Sequence, residues 1–195
     1  MTFIDTVPEE CAEGATAAMY ARHCADYGYI PNFVKAFSHR PGVMDSFDQL
    51  LDSIKQNMNL RRYELVTMAA AKELKSSYCM LGHGSVLMRD YFSAEQLRII
   101  ADNPAVSELD EADKAVMLFA AKVVRDATSI TADDVNCLRK HGLSEADIFD
   151  VASAAAVRCF ISKTADALGA LPDSKFSVLE PELKEVLVVG RPISD

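Results

Sequence analysis

The sequence predicts an all-α protein, and three observations predict it. Apolar residues recur at helical spacing, as in Leu109, Ala112, Val116, Phe119, Ala120 and Val123. Helix-start patterns recur: Thr6 with Glu9 and Ser93 with Gln96 both have capping-box spacing. Little of the chain shows the two-residue alternation of a half-buried strand.

In order, Thr6-Val7-Pro8-Glu9 is expected to open a first helix that stops at Gly28, with Pro8 tolerated in its first turn. Gly28 to Asn32 is a turn into a short helix ended by Arg40-Pro41-Gly42. A helix over 43–57 follows, then one over 61–74 with Leu65, Met68, Ala69 and Lys72 on helical spacing. Lys75-Ser76-Ser77 breaks it, and either serine can cap the next helix, which runs to about Met88. Ser93 opens another, and 107–126 is strongly amphipathic. Thr131 and Ser144 each open a further helix on either side of Gly142. The last, alanine-rich helix runs through Val151, Ala155 and Cys159 to Leu168 and Gly169. Its small residues suit close helix–helix approach. Beyond Pro172 the tail is less periodic and is expected to wrap the surface or a neighbour.

The 195 residues, half of them hydrophobic and a quarter charged, suffice for one domain with a substantial core. A net charge of -9 argues against nucleic acid or an anionic membrane as partner, since both favour a basic surface. The start lacks a basic region followed by an apolar run, and the apolar run 115–121 is far too short to span a bilayer. Five scattered cysteines, Cys11, Cys24, Cys79, Cys137 and Cys159, do not form a disulfide framework and fit a reducing, cytoplasmic compartment.

Cys79 stands apart because His83 lies four residues on, on the same helical face, and Glu64 lies fifteen residues upstream. On one straight helix Glu64 would be roughly 22 Å from Cys79, so the three meet only if the chain reverses near Ser76-Ser77. A bland reading has Cys79 as a helix-start residue, His83 as a satisfied buried histidine, and Glu64 paired with Arg61, Arg62 or Lys75. Read as chemistry, the thiol is a nucleophile at a helix start, where the dipole favours its anion, with His83 and Glu64 moving the proton. Structural zinc wants four ligands and no second close ligand pair is present, so no metal is expected. No haem, flavin or nicotinamide motif is visible, so no bound cofactor is expected either. His23, His39 and His141 read as structural or solvated.

Glu64, Tyr78-Cys79 and His83, with Gly142-Leu143-Ser144-Glu145-Ala146-Asp147-Ile148 and Ala165-Asp166-Ala167-Leu168-Gly169, together resemble a known superfamily. It is that of carboxymuconolactone decarboxylase and alkylhydroperoxidase D (AhpD). The length and the Ile30-Pro31-Asn32 turn look like its peroxidase-related branch, and the likeness covers roughly residues 27–173. The resemblance implies an AhpD-like helical bundle assembled into homo-oligomers, trimers or hexamers. It further implies that Cys79 matches the second cysteine of a redox pair, His83 the relay histidine and Glu64 the relay glutamate. The first cysteine of that pair falls on Ser76, which cannot form the disulfide. An external thiol reductant, or another cysteine of the chain, would then have to resolve an oxidised Cys79.

The expectation is a thiol-dependent peroxidase acting on small hydroperoxides. Cys79, His83 and Glu64 would be catalytic, and Ser76 and Tyr78 flanking groups able to hydrogen-bond substrate. Two alternatives stay open. One is decarboxylase-like proton transfer by the histidine–glutamate pair, with Arg61 or Arg62 holding a carboxylate. The other is a catalytically silent helical oligomer.

Overall fold

A computed structural model describes residues 2–195. Among the described residues, helices and 3₁₀ turns make up the ordered elements: α1 (Gly14–Tyr27), α2 (Asn32–Lys35), α3 (Pro41–Lys55), α4 (Leu60–Glu73), α5 (Ser77–Asp90), α6 (Ala94–Asp102), α7 (Glu111–Asp126), α8 (Ala132–Lys140), α9 (Glu145–Ala167) and α10 (Pro181–Leu187). The all-α expectation holds.

α4 is the central rod. Every residue from Tyr63 to Ala71 is buried, because α5, α7 and α9 all pack around it. Ala69, Ala70 and Ala71 on α4, with Ala154 and Ala155 on α9, keep the side-chain layer thin and let the helices approach closely. The buried residues form a continuous apolar cluster reaching from Met19 to Leu187.

Four details differ from the sequence expectation, each for a physical reason. The first long helix starts at Gly14, after a 3₁₀ turn at Glu9–Cys11. Upstream, Val7 is held away from helical geometry: its N–H donates to Ser38 Oγ at 3.0 Å and its carbonyl accepts from the Tyr20 hydroxyl at 2.7 Å. Pro41 begins α3 instead of ending the helix before it, since a proline in the first turn forfeits no helical hydrogen bond. α7 starts at Glu111, where the Asp110 carboxylate accepts from the Asp113 N–H at 2.8 Å. Finally, the tail carries α10, which buries Leu183 and Leu187 against α6 and α5 and so belongs to the core.

The reversal between α4 and α5 is built from unusual parts. Lys75 takes a left-handed φ of 54°, a conformation costing a residue with a Cβ about 1–2 kcal/mol. The tail returns to brace it. Gly190 N–H donates to Ser77 Oγ at 2.8 Å, and a Cβ on Gly190 would lie 2.0 Å from the Lys75 carbonyl oxygen. Only a glycine backbone fits that close.

Candidate active site

The α4–α5 reversal brings Glu64 and His83 together. Glu64 is buried on α4, at 3% exposure, and its Oε2 accepts from His83 Nδ1–H at 2.5 Å. His83 Nε2 lies 3.0 Å from Nη1 of Arg158 on α9. A guanidinium can only donate, so Nε2 accepts and the ring proton sits on Nδ1. Burial pushes the His83 pKa below its ordinary value; the Glu64 charge and hydrogen bond oppose that, and the Arg158 and Lys55 charges add to it. The ring is therefore neutral, held between a carboxylate and a guanidinium.

Cys79 is the third residue of α5. The first helical hydrogen bond is Met80 N–H to the Ser76 carbonyl at 3.0 Å, so the amides of Ser77, Tyr78 and Cys79 precede the ladder, as at any helix start. Its sulfur is half-buried and lies 3.1 Å from the hydroxyl of Ser162, a buried residue of α9. The thiol's hydrogen-bond partner is thus Ser162 and not His83.

Cys79, Glu64, His83 and Arg158 all line one cavity of about 470 Å³, a volume within the range of small-molecule sites. Its walls are largely aromatic and aliphatic, including Tyr27, Phe33, Phe47, Tyr63, Val86 and Ile161. Cys11, Cys24, Cys137 and Cys159 do not line it, and among the described residues all five cysteines are free.

The remaining sequence candidates fall elsewhere or are already occupied. Ser76 precedes α5 as its N-cap residue and is fully buried. Its Oγ makes no hydrogen bond, and it lies outside the cavity lining. Burial raises the Asp166 pKa, against the lowering influence of Ser76 and the Arg191 charge. Tyr78 does line the cavity, yet its hydroxyl donates to Asp173 Oδ2 and accepts from the Phe33 N–H at 3.3 Å. Burial, then the Asp173 charge and hydrogen bond, hold the Tyr78 phenol far above its ordinary pKa. Asp173 also accepts from the Tyr29 hydroxyl at 2.8 Å and the Asn32 N–H at 2.9 Å, so the node is structural. Arg61 and Arg62, considered as carboxylate binders, are both paired with buried Asp113 on α7. His23 is buried in α1 and lines the cavity; its Nε2 is 3.2 Å from Asp48 Oδ2 but off the hydrogen-bond direction.

No protein-family model matches the chain, and no curated protein matches it. Solved structures do. A peroxidase-related protein from Ralstonia eutropha JMP134, described as an alkylhydroperoxidase AhpD core, superposes with a TM-score of 0.82 at 19% identity, over 91% of this chain and 95% of the other. A peroxidase-related protein from Silicibacter sp. TM1040 gives 0.75 at 22% identity, over 90% and 91%. The debrominase Bmp8, as a cysteine-to-alanine variant in complex with 2,3,4-tribromopyrrole, gives 0.75 at 14% identity, over 93% and 96%. The chain has the AhpD-like fold.

Two residues of this site escaped the sequence reading. Arg158 and Ser162 are four apart on α9: Arg158 lines the cavity, and Ser162, outside its lining, touches the Cys79 sulfur. The signal was present: Arg158 is the lone charge in the run Val151 to Ile161, on a helix otherwise read as apolar packing. A charge placed among such residues is buried only where it has partners.

Proposed function

We propose that this protein is a single-cysteine, thiol-dependent peroxidase for small organic hydroperoxides. The observation carrying the reading is Cys79 opening onto an aromatic cavity beside the His83–Glu64 pair, with no second cysteine on its walls. The Cys79 thiolate attacks one peroxide oxygen, the O–O bond breaks, and the other oxygen leaves as an alkoxide that takes up a proton. Cysteine becomes sulfenic acid and the hydroperoxide becomes an alcohol. An external thiol then condenses with the sulfenic acid, releasing water, and a second one restores Cys79 with formation of the reductant's disulfide.

The thiol proton needs an acceptor. Ser162 holds the sulfur, and His83 with Glu64 behind it is the neighbouring base. In the resting arrangement Nε2 is occupied by Arg158, so the imidazole receives that proton only when the guanidinium moves aside.

The test is intact-mass analysis after sub-stoichiometric cumene hydroperoxide. One added oxygen on Cys79, or a mixed disulfide there when glutathione is present, supports the reading. Unmodified Cys79 refutes it, and release of carbon dioxide from an unsaturated lactone acid that survives Cys79→Ser would select the decarboxylase-like alternative. The aromatic walls favour one further reading, removal of bromine from a small ring, since Bmp8 is named a debrominase and was crystallised with a tribromopyrrole. Bromide release from a brominated pyrrole, abolished by Cys79→Ser, would select it.

The same proposal includes a cytoplasmic setting and a homo-oligomer. Free cysteines support the first; among the described residues, no helix is long and apolar enough to cross a membrane. Exposed Val43, Leu50 and Phe160, which line a shallow apolar groove on α3 and α9, support the second.

A further inference from the structure

Peroxide reduction does not require Arg158. A guanidinium is a cation, and burying such a charge is costly unless an anion offsets it. Arg158 is only 4% exposed, yet among the described residues no aspartate or glutamate forms a salt bridge with it. Its direct partners are neutral. Nη1 donates to His83 Nε2 at 3.0 Å, Nη2 reaches the Tyr63 hydroxyl at a long 3.4 Å, and the group sits 5.6 Å from the centre of the Phe47 ring. Nε–H is buried with no acceptor. Nε–H and Nη2–H form the side of the guanidinium that grips a carboxylate with two parallel hydrogen bonds. One of those donors is unused and the other is weakly held, on a residue that lines the cavity; Nε itself is closed off in this arrangement and meets a ligand once the guanidinium turns.

We propose that Arg158 is an anion subsite, and that the cavity binds a small organic acid with its carboxylate on Nε and Nη2 and its apolar body against Phe33, Phe47 and Ile161. Combined with the peroxidase reading, on which this step rests, the substrate is a hydroperoxide that also bears a carboxylate. Such a substrate draws the guanidinium toward itself and off His83 Nε2, freeing the base as the reactive group arrives. The charges facing the cavity are consistent with this division of labour. Asp173 is consumed by tyrosines, Glu64 by His83, Arg89 by Asp90, and Lys175 stacks 4.5 Å from the Tyr29 ring. Lys55 and Asp48 complete the set.

The test separates the subsite from the chemistry. Reduced protein without peroxide is titrated with benzoate and with benzamide, its uncharged counterpart. Benzoate should bind at least about tenfold more tightly, as a charge-assisted two-point contact requires, and the Arg158 Nε–H resonance should shift on saturation. Arg158→Gln should erase the preference. Equal binding of the two probes overturns the proposal. So does a preference that survives Arg158→Gln, which would assign the anion to Lys55, Arg89 or Lys175. If Arg158→Gln does not fold, the parent's Nε–H resonance decides: unmoved by saturating benzoate, it sinks the subsite. Benzoate does not react with Cys79, so failure of peroxide to oxidise Cys79 is a separate result. It would overturn the peroxidase reading and leave the anion subsite standing.

Discussion

Glu64→Gln isolates the electrostatic part of the site. The side chain keeps its shape and its ability to accept from His83 Nδ1–H, but loses the charge. In the parent, that carboxylate is the leading influence holding the imidazole pKa up against burial, and its hydrogen bond to the ring is short, at 2.5 Å. Replacing a hydrogen bond to a charged group by a neutral one forfeits the difference between them, about 1–1.5 kcal/mol, or about 5- to 13-fold in rate if the whole loss appears in the transition state. The imidazole becomes a weaker base, since its pKa falls further below the ordinary histidine value. The assay is the second-order rate of Cys79 oxidation by cumene hydroperoxide, followed by mass spectrometry without any reductant, so that regeneration does not mask the step. Circular dichroism and thermal unfolding establish that the variant is folded. A rate constant within about twofold of the parent's, well short of what loss of that charge would cost, refutes the relay.

Three further outcomes follow from the packing. Removing the buried carboxylate in Asp113→Ala strands Arg61 and Arg62; because both arginines can reach water, the loss is about 2–3 kcal/mol, a drop of about 5–10 °C in Tm for a chain of this size. His83 has a depressed pKa in the folded state, so its contribution to stability is present above the ordinary histidine value of 6.5 and is lost as pH falls from there through the folded value. Urea midpoints at about pH 7.5 and pH 5 should therefore differ by less in His83→Gln than in the parent. Gly190→Ala puts a methyl group into the Lys75 carbonyl and should release the tail, seen as faster hydrogen exchange at the Gly190 and Met80 amides; unchanged exchange would show that the brace carries no strain.

Most of the fold was legible because the signals are local. The capping box at Ser93 is formed, Thr131 and Ser144 open their helices, and Gly28, at φ 78°, ends α1 as its sequence position suggested, whereas the box spacing of Thr6 and Glu9 heads no long helix. The α4–α5 reversal was readable from Lys75-Ser76-Ser77. What the sequence withheld depends on distant partners. Val7 is held out of a helix by Ser38 and Tyr20, and Pro41 could be read as a stop or a start. At the site, the α4 and α5 residues could be named from spacing and resemblance. The lone charge of Arg158 signals that it has partners, but neither they nor the contact of Ser162 can be read from the residues around them. Tyr78 was legible as a cavity residue but not as one already bound to Asp173, 95 positions away.

That long reach sets the order in which the pocket can come into being. The bonds defining it join positions 75 to 144 apart in the chain: His83 with Arg158, Cys79 with Ser162, Tyr78 and Tyr29 with Asp173. Closing such large loops is entropically costly, so they form after the local helices. A chain emerging from the ribosome would present Cys79 and the apolar side of α5 to the cell before α9 has been made. The reactive sulfur is thus most exposed to stray oxidants during synthesis, and shielding it falls to the last third of the polypeptide to arrive.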